Sequence, residues 1–309
     1  MNNTYLIFVL SFFITVLSVP LVKFIAIKLD IYDQPGKAKI HKKKLPYLGG
    51  VAIFIGFFMS VLIGASLLLE NSFQQTQIYI ILTCAFILLF TGLLDDIHGL
   101  NAIPKLIFEF ATVMLLFSIG LKISITSNLF FNMLILSVWV VFITNAFNNI
   151  DGLDGLASGV AIICSFFFLM IYSIMGSVVA VILCLALIGS CLAFLIFNFN
   201  PASIFMGDSG SLFIGFVLSV IPLIGFIRTE NIIIASIVPF FILSFLIFDS
   251  TFVLIKRFIN GQNLLSGDLQ HTYNILFDKV KNTKKTVLFI YLICFILGSF
   301  AFLLAVFLR

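Results

Sequence analysis

The sequence predicts an all-α polytopic membrane protein of about ten transmembrane helices, on three grounds: composition, the length of the apolar runs and the placement of the cations. Of 309 residues, 62% are hydrophobic and 10% charged, with a mean hydropathy of +1.25. A soluble globule carries roughly 45–50% apolar residues, so that class is excluded. Apolar runs fall at about 4–27, 49–69, 78–94, 103–120, 129–147, 155–174, 177–197, 211–227, 234–255 and 287–308. Each is near the ~17–25 residues that an α-helix needs to cross a bilayer. Such runs also exclude an outer-membrane barrel, whose strands alternate over ~10 residues.

With the runs crossing in alternation, Lys28, Lys37, Lys39, Lys42, Lys43, Lys44, Lys105, Lys256, Arg257, Lys279, Lys281, Lys284 and Lys285 share one side, and Lys23 ends the first run there. Only Lys122, Arg228 and Arg309 fall on the other. Loops rich in Lys and Arg stay cytoplasmic, so both termini are expected outside and the polar loops inside. The first run lacks a basic leader and an Ala-x-Ala-like cleavage site, which predicts a retained span. No repeat or low-complexity linker divides the chain, so residues 1–309 are expected to form a single transmembrane catalytic domain. The net charge of +4 fits anionic membrane lipid at the inner surface, and no nucleic-acid partner is expected. Cys84, Cys164, Cys184, Cys191 and Cys294 all lie in predicted spans without metal-ligand spacing, so they read as apolar packing residues without disulfides.

The inside loops hold the unusual residues. The first, Asp33 to Gly50, gathers cations between Pro35, Pro46 and the Gly49–Gly50 pair, which shape a turn into the second span. Asp95 and Asp96 end the third span, followed by His98 and Lys105; adjacent carboxylates on a helix point ~100° apart, so one can meet a metal while the other faces a substrate. Asn145, Asn148, Asp151 and Asp154 recur every third position and would share one acidic face of a helix, with Gly152 and Gly155 able to break the backbone. Asn198 to Ser211 contains Asn200 and Gly207-Asp208-Ser209, where an acid at a helix start suits a cap, a phosphate or a phosphate-bound Mg²⁺. The last polar loop carries Asp268, His271, Tyr273 and Asn274. Acids, amides and cations converging on one membrane face suggest phosphoryl transfer from a Mg²⁺-bound diphosphate donor to an acceptor reached through the bilayer.

These motifs resemble the polyprenyl-phosphate N-acetylhexosamine-1-phosphate transferases, the WecA, TagO and MraY enzymes of glycosyltransferase family 4. The resemblance runs from Asp33 to Asn274. It rests on Asp-x-Pro…Lys…His…Pro-x-x-Gly-Gly at Asp33 to Gly50, Leu94-Asp95-Asp96, the Asn145 to Gly155 segment, and Asn198-x-Asn200-Pro-Ala…Phe-Met-Gly207-Asp208-Ser-Gly-Ser211. It implies transfer of a sugar 1-phosphate from a UDP-activated N-acetylamino sugar to undecaprenyl phosphate, with UMP released. That reaction initiates a cell-surface glycan, such as cell-wall polymer or lipopolysaccharide O-antigen, at the bacterial inner (plasma) membrane. Mg²⁺ is the expected cofactor, with Mn²⁺ the alternative, and a homodimer is compatible with the family. By position, Asp208 looks like the principal metal ligand, and Asp95 and Asp96 like the pair that activates the lipid phosphate or helps hold the metal. Asn145, Asn148, Asp151 and Asp154 look like the nucleotide-sugar face; Lys105, Lys42 or Lys43, Asn200 and His271 look like further substrate contacts, and Asp249 is similar to an acid in the ninth span of the WecA-like branch.

The chain departs from the family's His-x-His-His pattern, having His271-Thr-Tyr273-Asn274. That argues for the WecA-like branch over MraY and leaves the sugar open between UDP-GlcNAc and a 6-deoxy N-acetylamino sugar. The rival from another class is a transporter, for which Glu109 and Asp249 would be ion-route acids. Against it, both sit toward the inner side, where Glu109 could pair with Lys105 four residues earlier. A silent scaffold would be expected to lack a carboxylate, and none is missing. Trp139 reads as packing or tail contact and Pro222 as the likeliest kink.

Overall fold

The computed structural model describes residues 4–33, 44–121, 123, 127–226, 232–262 and 271–308. Its helices are α1 (Thr4–Lys28), α2 (Gly49–Leu68), α3 (Ser72–His98), α4 (Ala102–Ser118), α5 (Leu129–Asn149), α6 (Leu156–Ile174), α7 (Val178–Asn198), α8 (Asp208–Phe226), α9 (Ile232–Ile242), α10 (Ser244–Ile259), α11 (Thr272–Val280) and α12 (Thr283–Phe307). One short antiparallel pair, β1 (Tyr32–Asp33) with β2 (Leu45–Pro46), sets Tyr32 opposite Pro46. The chain is an all-α polytopic membrane protein. Among the described residues, eight helices are long and apolar enough to cross a bilayer, or nine if the bent pair of α9 and α10 counts as one.

Two expected spans differ. The run at 103–120 becomes α4, whose 17 residues make it the shortest of the expected crossings and which starts with the polar residues of the site. The run at 234–255 is broken at Leu243, where α9 and α10 meet at 78°. A break frees backbone groups that have no water to turn to in an apolar surround. Here the Cys164 thiol donates to the Ile242 carbonyl at 3.3 Å. All five cysteines are buried and free.

The most enclosed helix is α8, with 94% of its spanning window buried. It packs against α3, α5, α2, α7 and α6, while α1 and α12 lie outermost, with 28% of their windows buried. Pro222 sits inside α8, which continues as one helix to Phe226. Trp139 does more than pack: its indole N–H donates to the Ser219 carbonyl of α8 at 2.9 Å. The polar segments are joined by backbone. Phe205 N–H donates to Pro46 O at 3.0 Å, and Gly49 and Gly50 N–H, at the start of α2, donate to Phe205 O at 2.9 Å and Met206 O at 2.8 Å. The loop that carries the Gly pair is thereby fixed beside the loop that starts α8.

Candidate active site

The site forms where the C-terminal end of α3 meets the N-terminal ends of α4 and α8. Asp95 and Asp96 do point apart, as their helical spacing predicts. Asp95 accepts the Leu100 N–H at 2.6 Å and the Lys105 ammonium from α4. Lys105 also reaches across to Asp208 of α8, Nζ to Oδ2 at 2.8 Å. One cation thus serves two carboxylates, with side-chain exposures of 13% for Asp95, 19% for Lys105 and 30% for Asp208. Asp208 is the most open of the three.

Asp96 has a different task. Its Oδ1 and Oδ2 accept the Asp208 and Ser209 N–H groups at 2.8 and 3.1 Å. The first N–H groups of a helix have no intrahelical partner and carry partial positive charge, so a carboxylate there both caps and stabilises. The helix start expected to hold a phosphate is therefore met by a side chain from α3. Gly207 makes the approach possible: its φ is 75°, and a Cβ would lie 2.6 Å from Asp96 Oδ2. Among the described residues, no three acidic, His or Cys side chains converge as a metal cluster, so Asp208, Asp95 and Asp96 are not gathered as one ligand set.

The Asn145 to Asp154 series does not share a helical face. α5 ends at Asn149, and Gly155, with φ 81°, precedes α6. Asn145 donates its amide to Glu109 at 2.8 Å, and Asn148 donates to Ser211 Oγ at 2.7 Å. Glu109 is thus held by Asn145, while Lys105 turns to the two aspartates in place of the expected i,i+4 pair. Asp154 accepts from Asn200 Nδ2 at 2.8 Å and from Ala202 N–H at 3.0 Å, so two expected substrate residues hold each other. Asp151, in the turn, stays among the acids. Burial first, then the negative charges of Asp208, Asp96, Asp154 and Asp33, push its carboxyl up to about 8. Tyr47 faces the same acids, and burial, followed by Asp33, Asp96 and Asp208, raises its hydroxyl far above the usual range.

His271 sits apart from the Lys105 centre, bound to Asp249, with Nδ1 to Oδ2 at 2.7 Å. Lys42 and Lys43 lie outside the described residues. Sequence reasoning underweighted Asp249 and Glu109, whose signal was a carboxylate inside an apolar run. It gave no role to Ser211 or Thr272, for which no periodic pattern spoke.

A sequence profile of glycosyl transferase family 4 matches residues 78–226. The chain is 36% identical over 311 residues, covering 96% of itself and 84% of the relative, to a Bacillus subtilis (strain 168) protein named "Probable undecaprenyl-phosphate N-acetylglucosaminyl 1-phosphate transferase". It is 28% identical over 302 residues, 88% of itself and 75% of the relative, to the decaprenyl-phosphate N-acetylglucosaminephosphotransferase of Mycobacterium tuberculosis (strain CDC 1551 / Oshkosh). The phospho-N-acetylmuramoyl-pentapeptide-transferase of Caldicellulosiruptor bescii matches at 30% over 237 residues, 69% of the chain and 72% of the relative.

Proposed function

The chain belongs to glycosyl transferase family 4, the polyprenyl-phosphate sugar-1-phosphate transferases, and from that premise we propose that it transfers N-acetylglucosamine 1-phosphate from UDP-GlcNAc to undecaprenyl phosphate. The matches to N-acetylglucosamine-1-phosphate transferases run over more of the chain than the match to the pentapeptide transferase, which supports the WecA-like reading. In this reading the polar loops are cytoplasmic, at the inner membrane of a bacterium, and the product starts a cell-surface glycan.

The observation that carries the reaction is Lys105 held between Asp95 and Asp208. An oxygen of the acceptor phosphate attacks the β-phosphorus of the UDP-sugar. The bond to the bridging oxygen breaks, and UMP leaves with that oxygen. Charge gathers on the phosphoryl oxygens along this path, and a fixed ammonium in a partly dry site stabilises it without reorganising. Asp95 takes the remaining proton of the acceptor phosphate. Asp96 holds α8 so that Asp208 faces Lys105, and Asp151 lines the donor side.

Mg²⁺ is the metal the family implies, and the donor set fits it. Asp95 and Asp208 are hard oxygen donors sharing one cation, and Mg²⁺ is commonly held by one or two carboxylates together with substrate phosphates. Asp208, the more open of the two, would hold it, and the ion when bound neutralises charge on the transferred diphosphate. The test is a transfer assay on purified protein with undecaprenyl phosphate, Mg²⁺ and a panel of UDP-sugars. Equal yields of UMP and lipid-linked sugar from UDP-GlcNAc are expected; product only from a 6-deoxy donor would change the sugar, and no UMP from any donor would overturn the reaction.

A further inference from the structure

A second polar cluster, where α10 meets α11, has no part in the reaction as written above. Asp249, with no exposed surface, accepts from Thr272 N–H at 2.7 Å and Thr272 Oγ1 at 2.5 Å on Oδ1, and its Oδ2 lies 2.7 Å from His271 Nδ1 in a third hydrogen bond. An ionised carboxylate so placed is an acceptor, which assigns the proton of the neutral His271 ring to Nδ1 and leaves Nε2 as an acceptor. His271 stacks on Tyr273, with ring centroids 5.4 Å apart and planes 17° from parallel. Tyr273 in turn donates its hydroxyl to Asn149 O at 3.1 Å. Its ring lies against Gly152, where a Cβ would come within 2.2 Å of the hydroxyl and force the ring to shift. The contacts therefore run without a gap from the bent α10, through α11, to the turn that carries Asp151.

We propose that Asp249 is a positioning residue for the donor substrate: through His271 and Tyr273 it braces the 149–152 turn, and with it Asp151, against α11. The inference rests on the transfer reaction proposed above. Asp249 touches no substrate in this account. It acts by fixing the His271 proton, hence the stack, hence the turn.

The substitution that tests it is Asp249→Asn. Asparagine has the same shape and still accepts from Thr272, but it offers an N–H to His271 Nδ1, which must then give up its proton and carry it on Nε2. The chain has only three histidines, so full-length protein labelled with ¹⁵N-histidine, with His271→Asn to assign the signal, reports the tautomer directly. Expected are an Nδ1-protonated His271 in the wild type and an Nε2-protonated one in Asp249→Asn. The KM for the UDP-sugar should rise about tenfold, and that for undecaprenyl phosphate should hold within about twofold. Tyr273→Phe keeps the stack and removes the bond to Asn149; it should raise the same KM, and the double variant should be no worse than Asp249→Asn. An unchanged tautomer, or a switched tautomer with both KM values unmoved, overturns the proposal. A wild type without turnover contradicts the reaction, whereas the ¹⁵N spectrum still decides whether Asp249 sets the His271 proton.

Discussion

The Lys105 centre and the polar contacts around it obey opposite electrostatic rules. At the centre, two carboxylates compete for one ammonium, Asp208 remains the most open group, and Asp151 adds a further acid. Around it, Asp154 with Asn200, and Asp249 with His271 and Thr272, are matched sets in which donors meet acceptors. Buried polar groups that satisfy one another fix a structure, whereas unbalanced charge near a partly open surface leaves interactions for a ligand. The difference separates residues that hold the site from residues that act in it, although motif reading treats both alike.

The largest effect that can break this comparison is expected at Lys105. Lys105→Gln leaves Asp95 and Asp208 facing each other without a cation, so UMP release should fall about 10³-fold. The thermal midpoint in metal-free buffer should fall too, and Mg²⁺ should restore more of it than it adds to the wild type. Next comes Asp96→Asn, which gives α8 one acceptor in place of two. A stability loss of about 1–2 kcal/mol by denaturant or thermal unfolding is expected, as for a lost helix cap. If stability were untouched while turnover collapsed, Asp96 would belong with the acting residues.

A smaller effect is expected from pH. The Asp151 carboxyl is raised from its ordinary 3.8 to about 8, so the folded state holds the proton more tightly than the unfolded chain. Its contribution to stability is full below pH ~4, declines as pH rises toward about 8 and is flat beyond. Thermal midpoints of the metal-free protein measured from pH 4 to 9 should show that decline, and Asp151→Asn should flatten it. The smallest expected effect belongs to a matched pair: in a double-mutant cycle, Asp154→Ala and Asn200→Ala should couple by about 1 kcal/mol of stability.

Much of this was legible in the sequence. Apolar run lengths gave the helices, and a doublet of acids at the end of one run gave Asp95 and Asp96 with their divergent directions. What the sequence hid was mostly pairing across distance. Asp96 caps a helix 112 residues away, and nothing near either residue announces it. The every-third spacing of Asn145 to Asp154 suggested one helical face, but α5 stops at Asn149, and Asn145, Asn148 and Asp154 each find a different partner. The bend between α9 and α10 had one local signal, Pro239 in α9, but the apolar run continues past Leu243 while the backbone turns by 78°.

The most direct test of the division is the turnover of Asp208→Asn across a Mg²⁺ titration, measured with its thermal midpoint. Asparagine keeps the size of the side chain and removes the charge that faces Lys105. A fall of at least about 10² in UMP release at every Mg²⁺ concentration, with the midpoint retained, is the predicted result. Near-normal turnover in the folded variant would contradict the account, because the more open of the two acids that share Lys105 would then be dispensable.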